Sequence, residues 1–269
     1  MIIVGFLCTM FAFLCIGMAS MRVAQGDVSD YLVANRDVSP YAAGLSAVAS
    51  NNSGFMFIGA IGFTYTYGLS AFWLLFAWVL GDYCSWFLVH QKLRERSEKL
   101  DSQSISGFLS HDGTQIHRKV QLFLGVLTVV FLTLYASAQL KAGGKALEGI
   151  LGWDGSTGIY LGMIMVALYS FAGGIRASIW TDVAQSIVML VAMSVLVVVC
   201  HVAVVPLSGI VESLNTIDPG LVAWTPSDAT LGLLPYAMGW FFAGFGGIGQ
   251  PHIIVRAMTV NHPDQMPVM

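Results

Sequence analysis

Charge is what this sequence has least of. Of its 269 residues only 10% are Asp, Glu, Lys or Arg, against 56% hydrophobic, where a soluble domain carries roughly 25% charged residues. That supply is too small to cover a water-facing surface, and the mean hydropathy of +0.74 points to lipid as the solvent. The formal net charge is −3, without a run of cations of the kind that tracks phosphates. Nucleic acid is thereby excluded as a partner. Cysteine is also scarce: Cys8, Cys15, Cys84 and Cys200 all lie in apolar runs, where they act as small hydrophobes, which excludes a disulfide framework. No nucleophile–base pair and no cluster of metal ligands stands out, so the chain does not read as an enzyme. It reads as an integral, multi-pass membrane protein whose surroundings are lipid.

The first apolar run, Ile2 to Ala19, has about the ~20 residues that a membrane-spanning helix needs. No cation precedes it and Arg22 follows it, so it reads as a span rather than a signal peptide. Further spans are expected at about 41–67, 69–89, 120–140, 157–174, 183–205 and 231–255, seven in all. With the amino terminus outside, the inner connections hold Arg22, Arg36, Lys92, Arg94, Arg96, Lys99, Arg118, Lys119, Arg176 and Arg256. Only Lys141 and Lys145 remain outside, a strong positive-inside bias in a cell (plasma) membrane.

The organising stretch is Ser46 to Gly59, SAVASNNSGFMFIG, where polar and small residues interrupt what would otherwise be one long apolar helix. Backbone that leaves the helix at membrane depth is tolerated only where it is buried in protein or lines a cavity. A broken helix offers carbonyls at one end and amides at the other, to a small cation and to an anionic solute group respectively. Ala49 and Asn52 would give main-chain carbonyls, and Ser50, Asn51 and Ser53 side-chain oxygens. The same residues also suit a small-residue packing interface with Ser and Asn bonding between helices.

A second break is expected in GFGGIGQPHIIVR, Gly244 to Arg256. Its first six residues match G-x-G-x-x-G, but no strand precedes them, so the dinucleotide fingerprint lacks its context. Gly247 and its neighbouring glycines free the backbone, and Pro251 cannot donate to a helical ladder. A kinked packing helix is the alternative. Asp82, in LGDYCSW, lies mid-span, where a carboxylate marks a functional position or a buried pair. Asp182 closes the WTD of the inner connection beside Arg176, Gln139 lies late in the fourth span, and His252 accompanies the proline. Two broken helices five spans apart suggest an inverted-repeat transporter. On that plan residues 1–25 form an accessory helix, 40–205 a first five-helix repeat and 206–230 an outer loop. Residues 231–256 form the broken first helix of a second repeat, and 257–269 an inner tail.

These motifs resemble those of the sodium/solute symporter family, and most closely its sodium/proline branch. The matching stretches are YLVANR (31–36), ASNNSG (49–54), GGIRASIWTD (173–182) and GQPHIIVRAM (249–258). The resemblance implies an all-α, leucine-transporter-like inverted-repeat core with one extra amino-terminal helix. It implies a co-transported sodium ion held at Ala49 and Asn52, with Asn51 beside them, as the one metal. It further implies solute contacts at Ser53, Gly54, Phe55, Gly247 and Pro251, and functional roles for Arg36, Asp82, Gln139 and Asp182. The chain departs from the proline branch at Asn51, where that branch has aspartate, and at Ala243 and Gly247, where it has aromatics. Family members continue for several more helices, so the chain is expected to be truncated after about seven.

The expected function is sodium-coupled symport, by alternating access, of a small organic solute such as proline or another small polar compound. The remainder of the transporter is one expected partner. The alternative is a solute-sensing domain joined to a histidine-kinase module, or a fragment without function.

Overall fold

The structure is a computed structural model describing residues 1–203, 206, 209–226 and 229–269, the side chain of residue 172 excepted. Its regular elements are helical. In chain order they are α1 (Ile2–Ala19), α2 (Val28–Val33), α3 (Pro40–Asn51), α4 (Ala60–Tyr67), α5 (Phe72–Ser85), α6 (Gln91–Lys99) and α7 (Ile105–Leu109). There follow α8 (Arg118–Leu151), α9 (Gly155–Ala203), α10 (Ile210–Ile217), α11 (Leu233–Phe245) and α12 (Pro251–Thr259). Local sequence explains the ends. The Asp27 carboxylate accepts from the Asp30 amide at 2.6 Å and caps α2. Ser39 caps α3, with Pro40 at its first position, where a missing N–H costs nothing. Gly152, in the left-handed region at φ 67°, closes α8.

Among the described residues, four helical stretches are long and apolar enough to cross a membrane: Ile2–Arg22, Phe55–Lys99, Arg118–Leu151 and Gly173–Ala203. Three of them are almost entirely unburied by the rest of the chain and Phe55–Lys99 is mostly so, as expected when lipid covers them. Two expectations change in detail. The fourth span is a helix of 34 residues, so Lys141 and Lys145 lie on its last turns rather than in an outer connection. The fifth and sixth spans are two helices within α9 that meet at a kink at Gly174 (φ 56°, ψ −141°), without the expected connection over 175–182 between them. A side chain there would be strained by the positive φ and would meet the Tyr31 carbonyl oxygen at 2.5 Å. Arg176 and Trp180–Asp182 therefore stand on helix. The end of the sixth span at Val205 lies outside the described residues.

The chain packs as two compact units. One comprises Met1–Gly54, His90–Ser186 and Pro251–Met269, the other Phe55–Val89 and Ile187–Gln250. Two of the divisions, after Gly54 and after Gln250, fall at the two helix breaks.

The core of the first unit is Val33, Leu93, Ile254 and Met258, with Ile105, Phe108 and Val255 packed against it. Buried charges in it have partners. Arg94, fully buried, donates to the carbonyls of Val260 at 2.6 Å and Asn261 at 3.1 Å. Arg176 donates to Asp30 Oδ1 at 2.6 Å and to the Ala34 carbonyl at 3.0 Å. The second unit is organised by α5 against α11 through two glycines: a Cβ at Gly81 would fall on the Phe241 carbonyl, and one at Gly244 on that of Trp78. Small residues let backbones approach where lipid gives no hydrophobic drive between helices.

Candidate functional site

The helical ladder of α3 continues through Asn51, and only Asn52 and Ser53 leave it. The break is therefore narrower than Ser46 to Gly59. Asn52 is extended (φ −73°, ψ 91°) while its amide still donates to the Val48 carbonyl at 3.0 Å. After Gly54 the chain takes one turn of π-helix, Phe55–Gly59, a wide turn often found at functional positions. Carbonyls in the last turn of a helix have no onward amide in that helix to accept from. Ala49 and Asn51 belong to this turn and Asn52 caps it.

Gln139 of α8 reaches the break directly. Its Oε1 accepts from the Gly54 amide at 2.6 Å. One turn earlier on α8, the Tyr135 hydroxyl is hydrogen-bonded to the Ser53 side chain, and its ring lies 5.0 Å from that of His252 on α12. Pro251 opens α12, after Gln250 has left helical geometry (φ −100°, ψ 100°). The first unit thus gathers Ala49, Asn51, Asn52, Ser53, Gly54 and Gln139 around the first break. Tyr135 further joins that break to the helix opened by Pro251.

A second polar cluster lies two turns before the break. Asp182 Oδ2 accepts from Ser46 Oγ at 2.7 Å, from Arg256 Nη2 at 3.1 Å and from Ser178 Oγ at 3.4 Å. Ser50 Oγ stands at 3.5 Å from the same oxygen. The Arg256 guanidinium also donates to Ser46 Oγ and Ser178 Oγ and to the His252 carbonyl. One carboxylate thus ties α3, α9 and α12 together. Ser46, Ser178 and Arg256 were absent from the residues expected to act. The contacts of Arg256 with Asp182, Ser178 and Ser46 span 74 to 210 positions in sequence, although a cation inside the apolar run PHIIVR was a signal that Arg256 needs a buried partner.

Arg36 lies apart from these clusters, bonded to the carbonyls of Ser97 on α6 and Ser102 in the α6–α7 connection at 3.0 and 2.9 Å. It ends a run of three non-glycine residues at positive φ, Ala34, Asn35 and Arg36, a costly conformation held by its surroundings. Burial, and secondarily the Arg94 charge, push the Arg36 pKa below its ordinary value. In the second unit Phe55 stacks on Trp78, with centroids 6.4 Å apart. Asp82 approaches Gly247 so closely that a Cβ there would lie 3.0 Å from Oδ1. The structure therefore brings Asp82 and Gly247 together. Among the described residues no group of three or more His, Cys, Asp or Glu side chains could hold a metal ion, so a cation at the first break would rely on carbonyl, amide and hydroxyl oxygens.

Comparison with known proteins places the chain. The model of the sodium:solute symporter family matches residues 31–268. The high-affinity proline transporter PutP of Bacillus subtilis (strain 168) is 32% identical over 87% of this chain and 49% of its own length. The sodium/proline symporter 2 of Staphylococcus saprophyticus is 32% identical over 99% of this chain and 51% of its own length. Among solved structures, a substrate-bound outward-open Na+-coupled sialic acid symporter superposes with a TM-score of 0.76, at 22% identity. The match covers 97% of this chain and 54% of that one. Likeness at that identity speaks for the fold, which is leucine-transporter-like. The chain spans about half the length of the curated relatives it matches. By the match along most of its length, this chain belongs to the sodium:solute symporter family.

Proposed function

We propose that the chain takes part in sodium-coupled symport of a small polar solute. Sodium is held at the first break by the carbonyls of Ala49 and Asn52 with the Asn51 side chain beside them. Solute is held by Ser53, Gly54 and Pro251. The observation that carries the proposal is the interruption itself: two residues, Asn52 and Ser53, leave an otherwise helical, apolar stretch and are braced by Gln139 and Tyr135 of α8. Such backbone is costly in a bilayer unless it serves a cavity, and oxygen-rich helix ends suit a small hard cation. Two relatives named as proline carriers make proline the first solute to test. Asn51 supplies an amide oxygen in place of a fixed charge, so the site binds sodium through dipoles and leaves net charge to the solute.

The test is uptake of labelled proline, with a panel of small polar solutes, into vesicles bearing this chain under an inward sodium gradient. Replacing sodium by choline should abolish accumulation. Asn51→Ala should raise the sodium concentration for half-maximal uptake about tenfold, the equivalent of one ligand contact to a charged group. Accumulation indifferent to sodium would overturn the assignment.

A further inference from the structure

We infer that Gln139 is the positioning residue of the sodium site. On this view Gln139 does not touch the ion. It fixes the direction of the Asn52 carbonyl by holding the amide of Gly54. The inference rests on the proposal that the first break binds sodium.

The break is tied down on both sides. The Asn52 amide is held by the Val48 carbonyl at 3.0 Å, and the Gly54 amide by Gln139 Oε1 at 2.6 Å. Between these anchors only the torsions around Asn52 and Ser53 are free to turn the Asn52 carbonyl, and the Ser53 side chain is itself bonded to Tyr135. Tyr135, Gln139 and Ala142 stand at i, i+4 and i+7, so they share one face of α8. That helix runs for 34 residues and serves as a rigid strut. The approach requires glycine: a Cβ at Gly54 would lie 2.7 Å from the Ala142 Cβ and 3.2 Å from Gln139 Oε1.

Binding of an ion by backbone oxygens demands that they already point inward, because each torsion left free must be ordered when the ion enters. Without the Gln139 acceptor, the Gly54 amide has to find another partner, and the backbone of Asn52 and Ser53 turns with it. A side chain at position 139 needs only an acceptor oxygen to do this work. Glutamate therefore substitutes for glutamine, and leucine, of similar size, does not.

Sodium-dependent thermal stabilisation of the purified chain in detergent, titrated with sodium chloride against choline chloride, reads the effect. Gln139→Leu should raise the half-saturating sodium concentration about tenfold, as expected for one lost hydrogen bond to a partly buried amide. Gln139→Glu should keep it within about twofold, since a carboxylate oxygen accepts the same bond. Gly54→Ala should weaken sodium binding through the same contact, and Ala142→Gly in that background should restore part of it by removing the facing methyl. This pair tests the strut if the leucine variant does not fold.

A leucine variant that responds at the same sodium concentration as the unchanged chain overturns the inference alone. So does a glutamate variant as weak as the leucine one, or a Gly54→Ala loss that Ala142→Gly leaves in place. An unchanged chain that shows no sodium response overturns the proposed function, and this inference with it.

Discussion

Replacing Arg256 by alanine is expected to destabilise the folded chain by about 3–5 kcal/mol, the cost of leaving one member of a buried ion pair without the other. The side chains of Arg256 and Asp182 are only 10% and 15% exposed, with Nη2 3.1 Å from Oδ2. Removal of the guanidinium leaves a carboxylate facing three serine hydroxyls, which offset part of its lost solvation but none of its charge. Asp182→Ala should cost a similar amount by stranding the cation. The combined Arg256→Met, Asp182→Leu chain should recover most of the loss, because two apolar side chains of like volume strand no charge. Denaturant unfolding of the four chains in one detergent gives the coupling energy. Strictly additive single-variant costs would show that the pair does not act as a unit.

The same cluster ties the helices that flank the two breaks. Arg256 joins α3 and α12 to α9. Any rearrangement that parts α3 from α9 must break the bonds to Asp182, so the pair biases the chain toward the arrangement seen here.

The break was legible because its signal is local. A polar run in an apolar stretch points, in a bilayer, to a break or to a packing interface, and ASNNSG and GQPHIIVRAM both stand where backbone leaves the helix. The width of the break was not legible. Ser46 and Ser50 look like part of the interruption, yet they lie on intact helix and turn toward Asp182. A serine serves equally well in a helix facing a buried acid and in an unwound turn, and only the position of Asp182, more than 130 residues away, decides between them.

The helix ends show the same limit. GGIRASIWTD carries two glycines and two charges, which favours a connection. The chain nevertheless stays helical from Ile175 onward, because Arg176 finds Asp30 and the Ala34 carbonyl in the first unit. Nothing within ten residues of Arg176 announces that partner. Hydropathy also ended the fourth span at Leu140, since Lys141 and Lys145 lower the average, whereas Gly152 is the residue that stops the helix by its left-handed backbone. Local chemistry thus marks breaks and caps. Long-range pairing decides which polar residues stay on helix.

Alanine at Gly244 should force α11 away from α5, with a loss of about 1–3 kcal/mol or more, and leucine there should prevent the two helices from pairing. At most core positions an added methyl is relieved by neighbouring side chains. Here the facing atoms are main chain. A Cβ at Gly244 would fall on the carbonyl of Trp78, and one at Gly81 on that of Phe241, 2.8 Å from the Phe245 amide nitrogen. Main-chain carbonyls within a helix cannot rotate away without breaking the ladder, so the helices themselves must separate. Separation also disturbs the aromatic packing of the second unit, in which Trp78 meets both Phe55 and Trp240. Tryptophan emission should therefore shift along with the melting temperature in Gly244→Ala, and more strongly in Gly81→Ala combined with Gly244→Ala. Gly239, on the same helix but with open space around its Cβ position, provides the control. Gly239→Ala should leave both signals in place, or raise stability slightly through helix propensity. Equal losses at Gly239 and Gly244 would mean that the cost arises from α11 itself rather than from its contact with α5.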